Sequence, residues 1–284
     1  MTDKKLRIAS VSFSLTGLEN FADFSQRITK HVNFAADSKA EMIVFPEYVT
    51  ASLVSVDQPW EHWDKLYLEL FENLAVKHKI NILGGTHLFK KECGRYTNSA
   101  TFFSTHGRAI SQDKWHLTPF EREYLPFEVG NNFAIIKTES ATFGIAICYD
   151  VEFPEFVRAI SKHGIDVLLV PSCTDDTQGF WRVRYCSAAR CIENQIAVVH
   201  APLVGSSEKV RFFEQNCGLA SVLVPCDYGF ASQGIAMQGE WNQDSCVVAE
   251  LDIAKLRRNR IEGSVLPTVD LRLKDYENGI VKNF

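Results

Sequence analysis

Met42-Ile43-Val44-Phe45 is a run of four apolar residues with no polar position, closed by Pro46-Glu47. It is too short for a helix and lacks the alternation of a strand with one wet face. It therefore reads as a strand covered on both sides. A chain that contains such strands must supply helices to cover them. The segment 21–38 is one, with Phe21, Phe24, Ile28, Val32 and Ala35 recurring at three- and four-residue steps. Further helices are predicted over 60–78, 154–163, 179–195 and 253–260; Pro154 opens the second of these in its first turn and Gly164 stops it. Strands are predicted over 6–13, 80–86, 96–104, 108–113, 133–138, 142–147, 166–170, 196–201 and 221–224, with His106-Gly107 as the turn between two of them. Strands and helices interleave throughout, with hairpins between some strands. That predicts an α/β protein with mixed sheets and helices outside. No Pro/Gly/Ser-rich linker, repeat or low-complexity stretch divides the chain, so residues 1–284 are expected to form a single domain, with 263–284 as a polar tail.

Charge and cysteine content remove several function classes. The net charge of −5 argues against nucleic acid as a partner, since phosphate binding needs a basic surface. The local cluster Lys255, Arg257, Arg258 and Arg260 reads instead as a solvated helix face with ion-pair partners. No stretch approaches 18 consecutive apolar residues, so no membrane association is expected. Met1-Thr2-Asp3-Lys4-Lys5 leads into a strand rather than a signal region, so a cytoplasmic location with the eight cysteines reduced is the expectation. Most of those thiols read as small buried hydrophobes. There is no C-x-x-C, and Cys186 and Cys191 lie five apart, so no metal site is expected. The chain also lacks G-x-S-x-G, G-x-x-x-x-G-K-[ST], H-E-x-x-H, and a G-x-G-x-x-G after the first strand, which leaves no motif for a nucleotide and no cofactor to expect. His31, His62, His78, His87, His106, His163 and His200 show no ligand spacing and read as surface or structural.

Three strand ends carry ionisable groups. Ile145-Ala146-Ile147-Cys148 delivers a thiol, Phe45-Pro46-Glu47 a carboxylate, and Asp113-Lys114-Trp115-His116 an amine. In open α/β sheets functional groups collect at the carboxyl ends of strands. A buried Glu47 would have raised proton affinity and could serve as a general base; the alternative is a helix cap or an arginine partner. Lys114 could stabilise an oxyanion, or be a surface lysine at a strand end. Glu121, in the charge-rich segment Pro119-Phe120-Glu121-Arg122-Glu123, could orient Lys114 or water, or face solvent. Cys148 needs a base or a positive field to reach thiolate. No histidine is placed to serve, so the partner would be a carboxylate.

These segments resemble the nitrilase, or carbon-nitrogen hydrolase, superfamily. The matching elements are Phe45-Pro46-Glu47, Lys114-Trp115-His116-Leu117, Cys148-Tyr149-Asp150 with Phe153-Pro154-Glu155, and Ala189-Arg190-Cys191-Ile192-Glu193-Asn194. The resemblance implies a four-layer α-β-β-α sandwich, a homodimer or larger assembly with the tail over 263–284 at the interface, and no cofactor. It implies a Glu47-Lys114-Cys148 triad with Glu121 as a second glutamate. Glu47 would deprotonate Cys148 for attack on an amide or carbamoyl carbon. Lys114 and the Tyr149 N–H would hold the oxyanion, and water would hydrolyse the thioester to release ammonia or an amine and a carboxylic acid. An acyltransferase passing the acyl group to an amine, and a non-catalytic regulatory relative, are the alternatives. Nitrilases proper carry Cys-Trp-Glu, whereas Cys148-Tyr149-Asp150 follows the amidase and carbamoylase branches. Many omega-amidase-like members have an arginine where this chain has Glu152. With Cys173, Thr174, Asp175 and Asp176 on a loop expected to line the pocket, a small neutral or cationic amide fits better than one bearing a carboxylate. The alternative pairs these acids with Arg158, Arg182 or Arg184. Thr174-Asp175 with Trp181-Arg182-Val183-Arg184-Tyr185 resembles a poorly characterised bacterial branch sometimes fused to an acetyltransferase domain, which these 284 residues are not expected to hold.

Overall fold

In the computed structural model, which describes residues 5–207, 209, 213–273, 275 and 276, two mixed sheets pack face to face. The first holds β1 (Lys5–Ser14), β2 (Met42–Val44), β3 (Asn81–Lys90), β4 (Tyr96–Phe103) and β5 (Ala109–Asp113). The second holds β6 (Ile135–Lys137), β7 (Thr142–Ile145), β8 (Val167–Ser172), β9 (Ala197–Val204), β10 (Ser221–Leu223) and β11 (Ile235–Gln238). A twelfth strand, β12 (Ser245–Asp252), runs antiparallel along residues 5–12 of β1. The sheets meet where the end of β1 pairs with the end of β9, at Phe13 with Leu203 and Ser14 with Val204.

Successive side chains of β1, Lys5-Leu6-Arg7-Ile8-Ala9-Ser10-Val11-Ser12-Phe13-Ser14, enter two different cores. Leu6 and Ile8 join the core between the sheets, together with Val44, Leu83, Phe102, Phe143, Ile145 and Leu168. Ala9, Val11 and Phe13 belong to a second core under α1 (Phe21–Asp37) and α2 (Asp64–His78). On the far side, α4 (Pro154–Ser161) and α5 (Thr177–Asn194) bury Val157, Ile160, Val183 and Cys191 against the second sheet. The layers are therefore α-β-β-α, as the resemblance implied. Two short elements complete the chain order: α3 (Pro119–Tyr124) after β5 and α6 (Ile253–Glu262) after β12.

The expected elements are present with shifted ends; α3, expected only as a charge-rich loop, and a 3₁₀ turn at Ala51–Leu53 are additions, and three further differences stand out. The helix expected over 60–78 is two pieces, a 3₁₀ turn at Trp60–His62 entered from Pro59 and then α2, joined through Trp63, whose carbonyl accepts the Tyr67 N–H at 2.8 Å. The segment after Cys148 is a 3₁₀ helix, Cys148–Glu152, that precedes α4. Strands β11 and β12 were not foreseen, although Ile235-Ala236-Met237 and Cys246-Val247-Val248-Ala249 are short apolar runs; their residues are mostly half-buried. The tail over 263–284 falls in part, at 274 and 277–284, outside the described residues, so its expected interface role has no structural reading. Among the described residues no helix is long and apolar enough to cross a membrane.

Strand direction gathers the chemistry at one edge. β1, β2 and β3 are parallel, and two antiparallel steps through β4 make β5 parallel to them again. β7, β8 and β9 are likewise parallel. Residues following β2, β5, β7 and β8 thus emerge at carboxyl ends, the place where open α/β sheets leave room for a ligand.

Candidate active site

Each expected group arrives on a locally constrained turn. Glu47 follows β2 and precedes Tyr48, whose φ is +54°. That turn is held by β3: the Thr86 N–H donates to the Pro46 carbonyl at 3.1 Å, and the Thr86 hydroxyl accepts the Tyr48 N–H at 2.8 Å. Gly85 is required there, because a Cβ would sit 2.0 Å from the Pro46 oxygen. Cys148 itself has φ +47°. A non-glycine residue in this left-handed region costs about 1–3 kcal/mol and persists only where its surroundings enforce it. One enforcing group is Asp150, fully buried, which accepts the N–H of Ile147 at 3.2 Å, and the N–H and ring Nδ1 of His116, both at 2.8 Å. Asp150 thereby ties the turn that carries Cys148 to the segment that carries Lys114.

The charged groups form one buried cluster. Lys114 Nζ donates to Glu47 Oε1 at 2.8 Å and to Glu121 Oε1 and Oε2 at 2.9 and 2.8 Å. Glu121 is the third residue of α3 in a capping box with Thr118, each donating a backbone N–H to the other's side chain at 2.8 and 3.2 Å. Tyr48 donates its hydroxyl to Glu121 Oε1 at 2.5 Å. Asn98, on β4, donates to Glu47 Oε1 at 2.8 Å and Glu121 Oε1 at 3.0 Å. Glu47 Oε2 accepts the Cys173 N–H at 3.0 Å, and the Cys173 carbonyl accepts the Cys148 thiol at 3.5 Å. Lys114 and Glu121 are thus neither a surface lysine nor a solvated loop residue; their side chains are only 2% exposed.

Proton affinities follow from burial against charge. Burial raises Glu47 above 4.5, opposed by Lys114 and reinforced by the like charge of Glu121. For Glu121 burial also pushes upward, but Lys114 and the hydrogen bonds prevail and the carboxyl titrates below its ordinary value. Burial would depress Lys114, yet Glu121 and Glu47 outweigh it and hold the ammonium well above 10.5. The Cys148 thiol is pushed well above 9.0, first by burial and then by Glu47. At rest, then, the proton sits on sulfur and Glu47 is the adjacent acceptor.

A cavity of about 360 Å³ opens onto this cluster, lined by Glu47, Lys114, Glu121 and Cys148 together with every residue expected to bind substrate: Tyr149, Glu152, Cys173, Thr174 and Asp175. Their side chains are not equally available. Glu152 pairs with Arg182 at 3.3 Å, Asp176 caps α5 by accepting the Gly179 N–H, and the Thr174 hydroxyl donates to the Cys217 carbonyl at 3.1 Å. Glu152 therefore follows the alternative reading, an arginine partner, whereas Asp176 follows neither and caps a helix instead. Asp175 keeps a free carboxylate on the cavity wall among the described residues. Sequence reasoning passed over Tyr48, Asn98 and, as a tether, Asp150. All eight cysteines are unpaired, but Cys93 and Cys226 are exposed and only Cys148, Cys191 and Cys217 are buried, so most are not the buried hydrophobes expected. Of the histidines, His87 lies buried between Thr50 and Asp64, and His200 is pushed to about 3 by burial while bonded to Ser172 at 2.7 Å.

Residues 7–260 match the family model described as carbon-nitrogen hydrolase. The chain is similar to the probable hydrolase YhcX of Bacillus subtilis, 33% identical over 280 residues, which cover 95% of this chain and 54% of that relative. The chain thus spans about half that relative's length. It is also similar to the omega-amidase NIT2-A of Xenopus laevis, 24% identical over 267 residues and covering 90% and 92% of the two chains. Among solved structures, Saccharomyces cerevisiae Nit3, a member of branch 10 of the nitrilase superfamily, superposes with a TM-score of 0.76 at 22% identity, covering 90% of this chain and 93% of that one.

Proposed function

We propose that this chain, which belongs to the carbon-nitrogen hydrolase family, cleaves a non-peptide amide or carbamoyl C–N bond by covalent catalysis at Cys148. The observation that carries the reading is the convergence of four sequence-distant strand ends on one buried cluster, with the Cys148 thiol opening onto the same cavity as Glu47, Lys114 and Glu121. The families named for the relatives point to the same bond class.

The proposed sequence begins with proton transfer from Cys148 to Glu47 as the sulfur attacks the carbonyl carbon. The raised proton affinity of Glu47 makes it a stronger base than an exposed carboxylate, and burial prevents the thiolate from persisting without attack. The developing oxyanion lies against Lys114. That ammonium has three protons and two carboxylate partners, so one donor is left for the oxyanion when Glu121 is held through a single proton. The C–N bond then breaks, Glu47 returns its proton to the leaving nitrogen, and ammonia or an amine departs. Water, deprotonated by Glu47, attacks the thioester; the carboxylic acid leaves and the thiol is restored.

Glu152 is neutralised by Arg182, so the charge preference of the pocket falls to Asp175. The test is product release across aliphatic, amine-bearing and carbamoyl amides, with free acid and ammonia or amine both measured. The expected result is turnover of at least one class by the native chain and loss of about 10⁴-fold or more in Cys148→Ala. Turnover retained by Cys148→Ala would contradict the proposal.

A further inference from the structure

Asn98 sits inside the charged cluster and has no part in the proposed reaction sequence. It is fully buried, and its one amide nitrogen donates to Glu47 Oε1 and Glu121 Oε1. Those are the two oxygens that also accept Lys114 Nζ, at 2.8 and 2.9 Å. The carboxylates are therefore bridged twice, once by a charged donor and once by a neutral one. Asn98 leaves its own Oδ1 buried and without a partner. A buried acceptor left unpaired is costly, and an asparagine serving only the packing of β4 would have both ends of its amide satisfied. Here both amide protons are aimed at carboxylates.

We propose that Asn98 is a positioning residue that keeps Glu47 ionised beside Glu121, and thereby sets the pH range in which Glu47 can receive the Cys148 proton. The inference rests on the reading of Glu47 as the general base. The groups facing Glu47 are Lys114 after β5, Glu121 on α3, Cys148 after β7, Cys173 after β8 and Tyr48 in its own turn. Lys114 is the one cation in that set. A second cation at position 98 would weaken Glu47 as a base, and an apolar group would leave two like charges bridged once. An amide supplies two protons and no charge. It also shapes where the transferred proton can go. Oε1 of Glu47 is filled by Lys114 and Asn98, and Oε2 carries the Cys173 N–H, which leaves one Oε2 position toward Cys148.

Hydrogen bonds to the charged form lower a carboxyl pKa, so removing this donor must raise it. The experiment is a carbon-13 NMR titration of glutamate side-chain carboxyls, with Glu47 assigned by its absence in Glu47→Gln. It compares the native chain with Asn98→Leu, close in volume without a donor, and Asn98→Ser, which keeps one hydroxyl. The expected result is a Glu47 midpoint about one to two pH units higher in Asn98→Leu and a smaller rise in Asn98→Ser. The acid limb of Cys148 alkylation by iodoacetamide should move by the same amount. An unmoved Glu47 midpoint in either folded variant overturns the proposal, including when alkylation slows uniformly at all pH values, as a packing defect would produce. If Asn98→Leu does not fold, Asn98→Ser decides. Failure of the hydrolase reading would show separately, as turnover by Cys148→Ala with the Glu47 midpoint still dependent on Asn98.

Discussion

The protein buries carboxylates at both ends of its sheets, and the two ends use opposite charge ratios. Asp166, at the amino end of β8, is fully buried and accepts the Thr142 N–H at 3.0 Å. It is met by two guanidiniums from α6, Arg257 at 2.7 Å and Arg260 at 3.4 Å. At the carboxyl end, Glu47 and Glu121 share a single cation, Lys114. The guanidiniums keep contact with water, Arg257 with 56% of its side chain exposed, whereas the Lys114 side chain keeps 2%. An over-compensated carboxylate in reach of solvent is a clamp between a helix and a sheet. An under-compensated pair out of solvent retains an appetite for protons, which is what a general base requires.

The comparison can be broken most forcefully at its cation. Lys114→Met leaves two buried carboxylates without a partner, so the fold should lose about 3–5 kcal/mol in urea denaturation. Amide turnover by the folded fraction should fall about 10²–10³-fold with the oxyanion donor gone. Near-native turnover would show that the cluster is a clamp like the Asp166 site.

A smaller effect lies in pH. The proposed mechanism requires ionised Glu47, whose proton affinity burial has raised, so kcat/KM should fall tenfold per unit below a limb that lies above 4.5. Stability should respond less. The raised Glu47 contributes stability that is present below 4.5 and lost as pH rises through its folded value, while the depressed Glu121 contributes stability present above 4.5 and lost as pH falls through its own. The two oppose each other, so Tm should change less than activity across the acid range. A limb at or below 4.5 would mean that Glu47 is not the group being titrated.

The mildest change sharpens the contrast from the other end. Asp166→Asn keeps an acceptor for the Thr142 N–H but removes the charge facing both arginines. Stability should drop by about 1–3 kcal/mol with kcat/KM of the folded protein unchanged. Lost turnover at retained stability would mean that the two ends are coupled.

The groups that bear the chemistry were readable because each follows a strand: Glu47 and Cys148 stand after apolar runs at β2 and β7, and Lys114 follows the polar end of β5, Ser111-Gln112-Asp113. Directions of strands then bring them together; interleaved strands and helices made mixed sheets with helices outside legible, whereas the four α-β-β-α layers came from the resemblance. What the sequence hid is the support. Asn98 lies inside the ordinary-looking strand Tyr96–Phe103, Tyr48 and Asp150 look like neighbours of the motifs, and all three act through hydrogen bonds that reach across the chain. Local pattern contains no term for such partners. For Glu152 the sequence left two readings open, pocket lining and an arginine partner, and the structure combines them: it lines the cavity while paired with Arg182, thirty residues away on α5. β12 escaped because its burial depends on lying along β1, with its first four residues half-buried.

Cys148 is only 5% exposed, while Cys93 and Cys226 lie open to solvent. Exposure alone would make the latter two react first with any alkylating agent. Iodoacetamide is itself a small primary amide that can enter the cavity and present its reactive carbon to Cys148. The decisive measurement is the order in which the eight thiols are alkylated by iodoacetamide at neutral pH, read by peptide mass spectrometry on the native chain and on Glu47→Gln. The expected result is that Cys148 is labelled first in the native chain, and that Glu47→Gln slows this site while leaving the rates at Cys93 and Cys226 unchanged. Labelling led by Cys93 and Cys226, with Cys148 slow in both proteins, would contradict the assignment of Cys148 as the nucleophile.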